Sequence, residues 1–422
     1  MFVTHEPPIT GHGGSGNYLD LMINYFIDRG HKVSIFLPNW GFLEKSIIQS
    51  SLKKFEKKGV KVKNIDFKDE DILEKIKKIS RLFFNPSKLY FKQSKYIENE
   101  LKKFCDEIQP NVLFLYCGQS LLWSENILHI KKFCPLVELP FWNSKNRIFY
   151  SLSGKYNSDS FYKKILSLTN LYINWFSQKK LIRLYKKIDF KAHVSFDYYN
   201  FLKKQGIKDI KYYDHPIEDL KEEIIVRRDK KINLINSGKF KIILTGKLGT
   251  ITYLQYNFLQ NKILGEIEKN KFVKNRIELR LIGADKIVDF NELYSKPYVN
   301  HCGYVENFED ELINSDIYLS PSPKALGSRS RLNEGMAYGC CIITSIFDKN
   351  ADPNLQANYN CLIAENPRDY VDKIEMIIKN PELKSKISRN AIKTYENKFK
   401  KNVACNNYEK DILNLINKKN II

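Results

Sequence analysis

From Asp316 to Ser345 the chain reads as a strand, a crossover helix and a second strand. Ile317 to Ser320 is a short apolar run, Gly327 and Ser328 make a polar turn, Gly339 stops a short helix, and Cys340 to Thr344 returns as a buried strand. Such a unit returns parallel to itself, so it needs a parallel sheet with helices on its faces. The chemistry gathers at the helix start. Ser328 or Ser330 can cap the helix by accepting from free backbone N–H groups. The remaining N–H groups and the helix dipole favour an anion there. Arg329 and Arg331 add fixed cations suited to bidentate phosphate contacts. Glu334 lies three residues past Arg331 and four past Ser330, so the three share one helix face. Leu332 and Met336 lie on another face and point inward. The pattern suits a bound nucleotide, with phosphates on the cations and a ribose on the carboxylate. The plainer reading is a strand-helix-strand unit with a surface Arg–Glu pair.

The same alternation runs through both halves. Met1 to His5 is a strand, followed by Pro7-Pro8, the loop Gly11 to Gly16, and a helix with Tyr18, Leu19, Met22, Ile23 and Phe26 at helical spacing. Lys32 to Leu37 is the next strand. The glycine loop stands at the carboxyl end of its strand, where open α/β sheets bind ligands. Gly13 and Gly14 let backbone approach a ligand closely. His12 is either a ligand contact or a solvent-exposed loop histidine. Further strands are expected at 60–65, 112–116, 136–139 and 190–195, with a Lys-rich, mostly helical stretch at 72–104, a long amphipathic stretch at 160–187 and a helix at 196–205. Residues 218–240 are polar and without strong period, and read as a linker.

A second set then begins. Lys241 to Thr245 is a strand leading into Gly246-Lys247-Leu248-Gly249, followed by a helix at 253–269, strands at 277–282 and 299–304, a helix at 308–314, the opening unit, a last short strand at 361–363 and two closing helices. Two successive α/β sets imply two doubly wound domains facing a cleft. The expected division is 1–217, a linker at 218–240, 241–395, and a C-terminal helix within 396–422 packing back toward the first domain.

Composition narrows the class. The chain has 422 residues with 43% hydrophobic content, enough for two cored domains. No apolar run reaches the roughly 18 residues of a membrane span, and no secretion signal opens the chain. The eight cysteines are scattered without a Cys-x-x-Cys pair, which argues against a zinc site or a disulfide framework and for a reducing cytoplasm. No Asp-x-Asp stands in a loop suited to a metal, so no metal is expected. The formal charge of +21 is uneven: residues 1–215 hold 36 Lys/Arg against 21 Asp/Glu, and residues 216–422 hold 33 against 27. A basic first half suits anionic lipid, nucleic acid or an acidic glycan. No nucleic-acid-binding motif occurs, so nucleic acid is not an expected partner. In 73–96 and 171–187 the lysines mix with Phe83, Phe84, Tyr90, Phe91, Trp175 and Phe176. These stretches are either interfacial helices on an anionic membrane or amphipathic core helices with solvated lysines.

Three pieces, in this order and spacing, resemble a known family: HEPPITGHGGSGNYLDLMINYFIDRGHKVSIF at the start, IILTGKLG after the linker, and the run from HCGYVENFEDELINSDIYLSPS to GSRSRLNEGMAYGCCIITS. The chain is similar to GT-B glycosyltransferases, closest to family 4, the retaining enzymes that use nucleotide sugars. The resemblance implies two Rossmann-like domains facing a central cleft. It implies transfer of a sugar from a UDP or GDP donor to a glycan or lipid acceptor, in cell-envelope polysaccharide or glycolipid synthesis. No separate cofactor is implied, and the location would be cytoplasmic, peripheral on the inner face of the membrane. Glu334 matches the second glutamate of the family's E-x7-E motif, which holds the donor ribose. The first would fall at Leu326 and is missing, which leaves the donor sugar open. Lys247 stands in place of the basic residue after the first strand of the second domain, beside Gly246. The family's second lysine is absent, since Thr250-Ile251-Thr252 stands there, and Arg329 or Arg331 would supply that cation. A histidine common after the fourth strand of the first domain is replaced by Cys117-Gly118-Gln119. The implied catalytic group is thus Lys247, Arg329, Arg331 and His12, and the donor-binding group Gly13, Gly14, Gly246, Ser328, Ser330 and Glu334. Glu138 is a further candidate for acceptor contact or a surface ion pair, and His215 with Pro216 for shaping the interdomain crossover. The competing readings are a nucleotide-sugar 2-epimerase of the same fold and a catalytically inactive nucleotide-sugar binder.

Overall fold

Among the described residues thirteen strands form two sheets, and every strand pair in both is parallel. The computed structural model describes residues 1–11, 14–39, 43–66, 94–136, 140–141, 161–232, 238–247, 249–283, 285–324, 327 and 330–417. The chain divides into two units. One comprises Met1–Val194, Tyr198–Tyr213 and Cys405–Ile422, the other Ser195–Asp197 and Asp214–Ala404.

The first unit is built on β1 (Phe2–Val3), β2 (Ser34–Asn39), β3 (Lys61–Asp66), β4 (Val112–Tyr116), β5 (Lys131–Leu136), β6 (Phe190–His193) and β7 (Ile210–Tyr212), in the order β3-β2-β1-β4-β5-β6-β7. Its helices are α1 (Gly14–Asp28), α2 (Lys45–Glu56), α3 (Ser94–Ile108), α4 (Gly118–Trp123), α5 (Phe161–Lys187) and α6 (Phe196–Lys204). Both sheet faces are covered, which is why β4 reads as an unbroken apolar run. Val3, Phe36, Leu113 and Leu115 pack on Ile97, Leu101 and Trp123. Phe2, Ile35, Phe114 and Tyr116 face the other way, onto Tyr18, Leu19 and Met22 of α1 and Tyr408 of the C-terminal helix.

The second unit holds β8 (Phe240–Thr245), β9 (Ile277–Ile282), β10 (Val299–Gly303), β11 (Ile317–Ser320), β12 (Cys341–Ser345) and β13 (Leu362–Ala364), in the order β10-β9-β8-β11-β12-β13. Its helices are α7 (Glu222–Ile232), α8 (Thr250–Phe258), α9 (Leu264–Lys269), α10 (Lys271–Lys274), α11 (Asn291–Tyr294), α12 (Phe308–Ile313), α13 (Ser330–Ala337), α14 (Ile346–Ala351), α15 (Pro367–Lys379) and α16 (Pro381–Thr394). A π-helical turn, Leu259–Ile263, joins α8 to α9. In each sheet the strand order reverses once, between β1 and β4 and between β8 and β11. Those are the points at which open α/β sheets bind ligands.

Several elements differ from the sequence reading. The strand expected at 136–139 lies at 131–136, and residues 137–139, with Glu138, fall outside the described residues, as does 72–93 of the Lys-rich stretch. The segment expected to be a linker contains α7, whose Ile224, Arg228 and Ile232 are buried at four-residue spacing. An arginine in that stripe hides its apolar period; here Arg228 donates to the Ala337 carbonyl (3.1 Å) and to Asp229 (2.8 Å). Three helices, not two, follow the last strand, and the third is α17 (Lys401–Asn417).

From Cys405 onward α17 belongs to the first unit. Its buried Glu409 accepts from the Tyr25 hydroxyl (2.9 Å) and Arg29 Nε (3.2 Å) and meets His31 Nε2 at 2.7 Å. Asp411 pairs with Lys211 at 2.7 Å, and Tyr408 stacks on Tyr213 with ring centroids 4.1 Å apart. No helix among the described residues is long and apolar enough to cross a membrane.

Candidate active site

At the switch point of the second sheet the chain leaves β8 at Thr245 and passes through Gly246. A Cβ on Gly246 would lie 2.0 Å from Arg331 Nη1 and 2.4 Å from Thr252 Oγ1, so any side chain there would displace the Arg331 guanidinium. Arg331 comes from α13, which follows β11, the neighbour of β8. Its Nη1 donates to the Thr245 carbonyl (2.9 Å) and to Thr252 Oγ1 (3.2 Å), and Thr252 donates onward to the Lys247 carbonyl (2.8 Å). One guanidinium nitrogen is thus spent on anchoring. Among the described residues nothing takes Nε or Nη2, which remain for a ligand. Lys247 is exposed beside it.

α13 is held as its sequence predicts. Leu332 and Met336 are buried, and Gly339, at φ +71, ends the helix. Below it the Tyr318 hydroxyl meets Thr245 Oγ1 at 2.6 Å, which ties β11 to β8 under the site. Glu334 keeps some exposed surface, yet its carboxyl is enclosed. Burial pushes that carboxyl up to about 7, against the downward pull of the Arg331 guanidinium.

The structure therefore brings Gly246, Lys247, Arg331 and Glu334 into one unit, with Ser330 as the first residue of α13. Leu326, Ser328 and Arg329 lie outside the described residues, as do His12 and Gly13. Gly14 is the exposed first residue of α1 in the other unit.

Sequence reasoning missed the residues that seat the site. Thr252 and Gln255 lie three apart on α8, on the side turned to the switch point. Gln255 Nε2 donates to Ser320 Oγ (3.1 Å) and Ser322 Oγ (3.2 Å). Asp348 Oδ2 accepts from Ser320 (2.7 Å) and Thr344 (2.5 Å). All five of these residues are buried. This buried hydrogen-bond network ties α8 to the carboxyl ends of β11 and β12. The signal available in the sequence was the clustering of Ser320, Ser322, Thr344 and Ser345 at two strand ends.

In the first unit the loop after β1 is strapped down. Gly11 N donates to Asn17 Oδ1 (2.7 Å), Thr10 to Asp20 (3.1 Å), and Ser51 to the Pro8 carbonyl (2.5 Å). A Cβ on Gly16 would sit 2.7 Å from the Ile9 carbonyl oxygen, so α1 approaches this loop only because glycine stands there. Cys117, at the carboxyl end of β4, takes φ +72, a strained conformation for a residue with a side chain. His215 is buried, with Nδ1 3.0 Å from the Pro216 carbonyl, and burial lowers its pKa to about 4, so it is neutral.

Residues 239–380 match the family described as Glycosyl transferases group 1. That stretch contains β8, α8, β11 and α13, and with them every residue placed around Gly246. Solved structures share the fold along almost the whole chain. Sucrose-phosphate synthase from Thermosynechococcus elongatus is 12% identical with a TM-score of 0.65, covering 99% of both chains. Anabaena HepE in complex with UDP is 11% identical with a TM-score of 0.62, covering 98% of both. The lipopolysaccharide outer core galactosyltransferase WaaB is 14% identical with a TM-score of 0.63, again covering 98% of both. The chain is a glycosyltransferase of the GT-B type. Among curated proteins no sequence matches it. In this glycosyltransferase the matched domain carries the Arg331–Glu334 pair, and the strapped loop and Cys117 stand at strand ends of the other unit.

Proposed function

We propose that this glycosyltransferase moves a hexosyl group from a nucleoside-diphosphate sugar, UDP or GDP, to a glycan or lipid acceptor. The transfer proceeds with retention and without a metal, at the cytoplasmic face of the membrane, in cell-envelope polysaccharide or glycolipid synthesis. The observation that carries the reading is the guanidinium of Arg331, anchored through one nitrogen at the end of β8 with two nitrogens unspent, next to the exposed Lys247. As the bond from the anomeric carbon to the phosphate oxygen breaks, the electron pair leaves on the diphosphate. The acceptor hydroxyl oxygen bonds to that carbon and its proton passes to an oxygen of the departing diphosphate. Fixed cations at the leaving oxygens stabilise this charge as it develops, without reorganising. They do there what a divalent cation would otherwise do. Glu334, one helical turn away, accepts hydrogen bonds from the ribose hydroxyls.

HepE is described with UDP and with UDP-glucose bound, which supports a uridine donor. The cation excess of residues 1–215 supports an anionic acceptor surface. A thermal-shift screen of UDP, GDP, ADP and CMP sugars tests the donor, because a bound ligand raises the melting temperature by mass action. A shift with a UDP or GDP sugar is the expected result. No shift with any of the four would refute the donor site.

A further inference from the structure

α5 (Phe161–Lys187) carries Lys163, Lys164, Lys179, Lys180, Arg183, Lys186 and Lys187 and no carboxylate. One side of it is core: Leu181, Leu184 and Tyr185 are buried against the sheet of the first unit. The other side is unusual. Leu168, Tyr172, Trp175, Lys179, Arg183 and Lys186 follow one another at three- and four-residue steps, so on a helix they form a single stripe roughly 80° wide. Leu168 is 54% exposed, Tyr172 44% and Trp175 38%, and the three cations beyond them are exposed too. The Tyr172 and Trp175 rings both meet Phe176, at 4.9 and 4.7 Å between centroids, and Lys179 Nζ lies 3.4 Å over the Trp175 ring. Lys179, Arg183 and Lys186 form no ion pair among the described residues.

A row of leucine, tyrosine and tryptophan held open to water needs a covering surface. The stripe changes along its length from apolar and aromatic to cationic. That order matches a bilayer surface, where aromatic rings settle at the headgroup boundary and cations meet anionic lipid. A nucleic acid would use the cations and leave Leu168 uncovered.

We propose that this stripe of α5 is the docking face of the protein on an anionic membrane. The proposal extends the lipid-acceptor part of the proposed function. Its readout is lipid binding, so it stands or falls separately from sugar transfer. The test uses the full chain with vesicles of phosphatidylcholine alone or containing about 30% phosphatidylglycerol, enough for a marked surface charge. Wild-type protein binds the anionic vesicles well above the neutral ones, with a blue shift of tryptophan emission that is lost in Trp175→Phe. The double variant Lys179→Gln/Arg183→Gln binds them roughly 30-fold more weakly, since each cation near such a surface contributes about 1 kcal/mol. Its thermal shift with the donor stays at the wild-type value, which shows that the fold and the donor site are intact. Equal binding to both vesicle types would overturn the proposal. So would anionic binding unchanged in the double variant, or competition for the stripe by duplex RNA but not by lipid.

Discussion

On the proposed reading of Glu334 as the ribose acceptor, donor affinity becomes a function of pH. The Glu334 carboxyl has a pKa of about 7 without ligand because burial opposes the charged form more than Arg331 favours it. Ribose hydroxyls are donors to it, and only the carboxylate accepts from both. The ionised fraction is roughly one-tenth at pH 6 and nine-tenths at pH 8 for a group of this pKa. Affinity for a nucleotide sugar therefore rises roughly tenfold over that interval and levels off above it. The assay is isothermal titration with the diphosphate sugar. The free diphosphate is unsuitable, because its terminal phosphate titrates near 6 and would add its own slope. Glu334→Gln should bind with a flat profile near the acid limb of the wild type. Stability runs the other way. A carboxyl whose folded pKa is raised contributes its stabilisation below the unfolded value of 4.5 and loses it as pH rises through about 7. The unliganded protein thus loses this contribution toward pH 8 while the donor-induced shift in melting temperature grows. A wild-type affinity that is flat or falls between pH 6 and 8, or a slope retained in Glu334→Gln, would refute ribose binding by this carboxylate.

Three further outcomes follow from the geometry. Arg331→Ala and Lys247→Ala each lower turnover roughly 10²–10³-fold, as loss of one preorganised donor to a developing oxyanion does. Adding Thr252→Lys to Arg331→Ala puts an ammonium on the residue that now holds the guanidinium and restores part of the loss; normal turnover in both single variants sinks the cation site. Gly246→Ala drives its methyl into Arg331 Nη1, so it should cost as much as Arg331→Ala, and the two together no more than either alone; additive losses in steady-state kinetics would separate the two residues. Glu409→Ala strands the buried Tyr25 hydroxyl and should cost the first unit about 2 kcal/mol in denaturant unfolding, with donor binding unchanged; wild-type stability would show that the clamp from α17 is idle.

Much of the fold was legible because apolar runs of strand length alternate with stretches of helical period. β4 and β9 fall at 112–116 and 277–282, as the sequence places them. The misses have local causes. β5 begins on Lys131 and Lys132, which look unlike a strand until Asp189 is seen accepting from the Lys132 backbone N–H (2.9 Å) and pairing with Lys131 (3.5 Å). α7 hides behind Arg228, whose charge is satisfied by a carbonyl 109 residues away. That α17 packs on the first unit depends on partners some 380 residues distant, such as Arg29 and His31 on Glu409. No local period contains that information.

The site divides in the same way. Helical spacing alone puts Arg331 and Glu334 on one face, while Gly246 and Lys247 are marked by the resemblance at a strand end. What spacing does not contain is that Arg331 spans 86 residues to the end of β8. That contact exists because β8 and β11 are sheet neighbours at the switch point, and it gives Gly246 its steric reason. On the proposed reading, the cation that the resemblance leads one to expect at 250–252 arrives from α13 instead, and Thr252 serves as its anchor. The consequence is mechanical. A cation on α8 would move with β8, independently of the ribose contact on α13. Arg331 and Glu334 sit three residues apart on one helix seated by Leu332 and Met336, so on the proposed reading the phosphate and ribose contacts of one nucleotide are carried by a single rigid piece, and anything that shifts α13 shifts both.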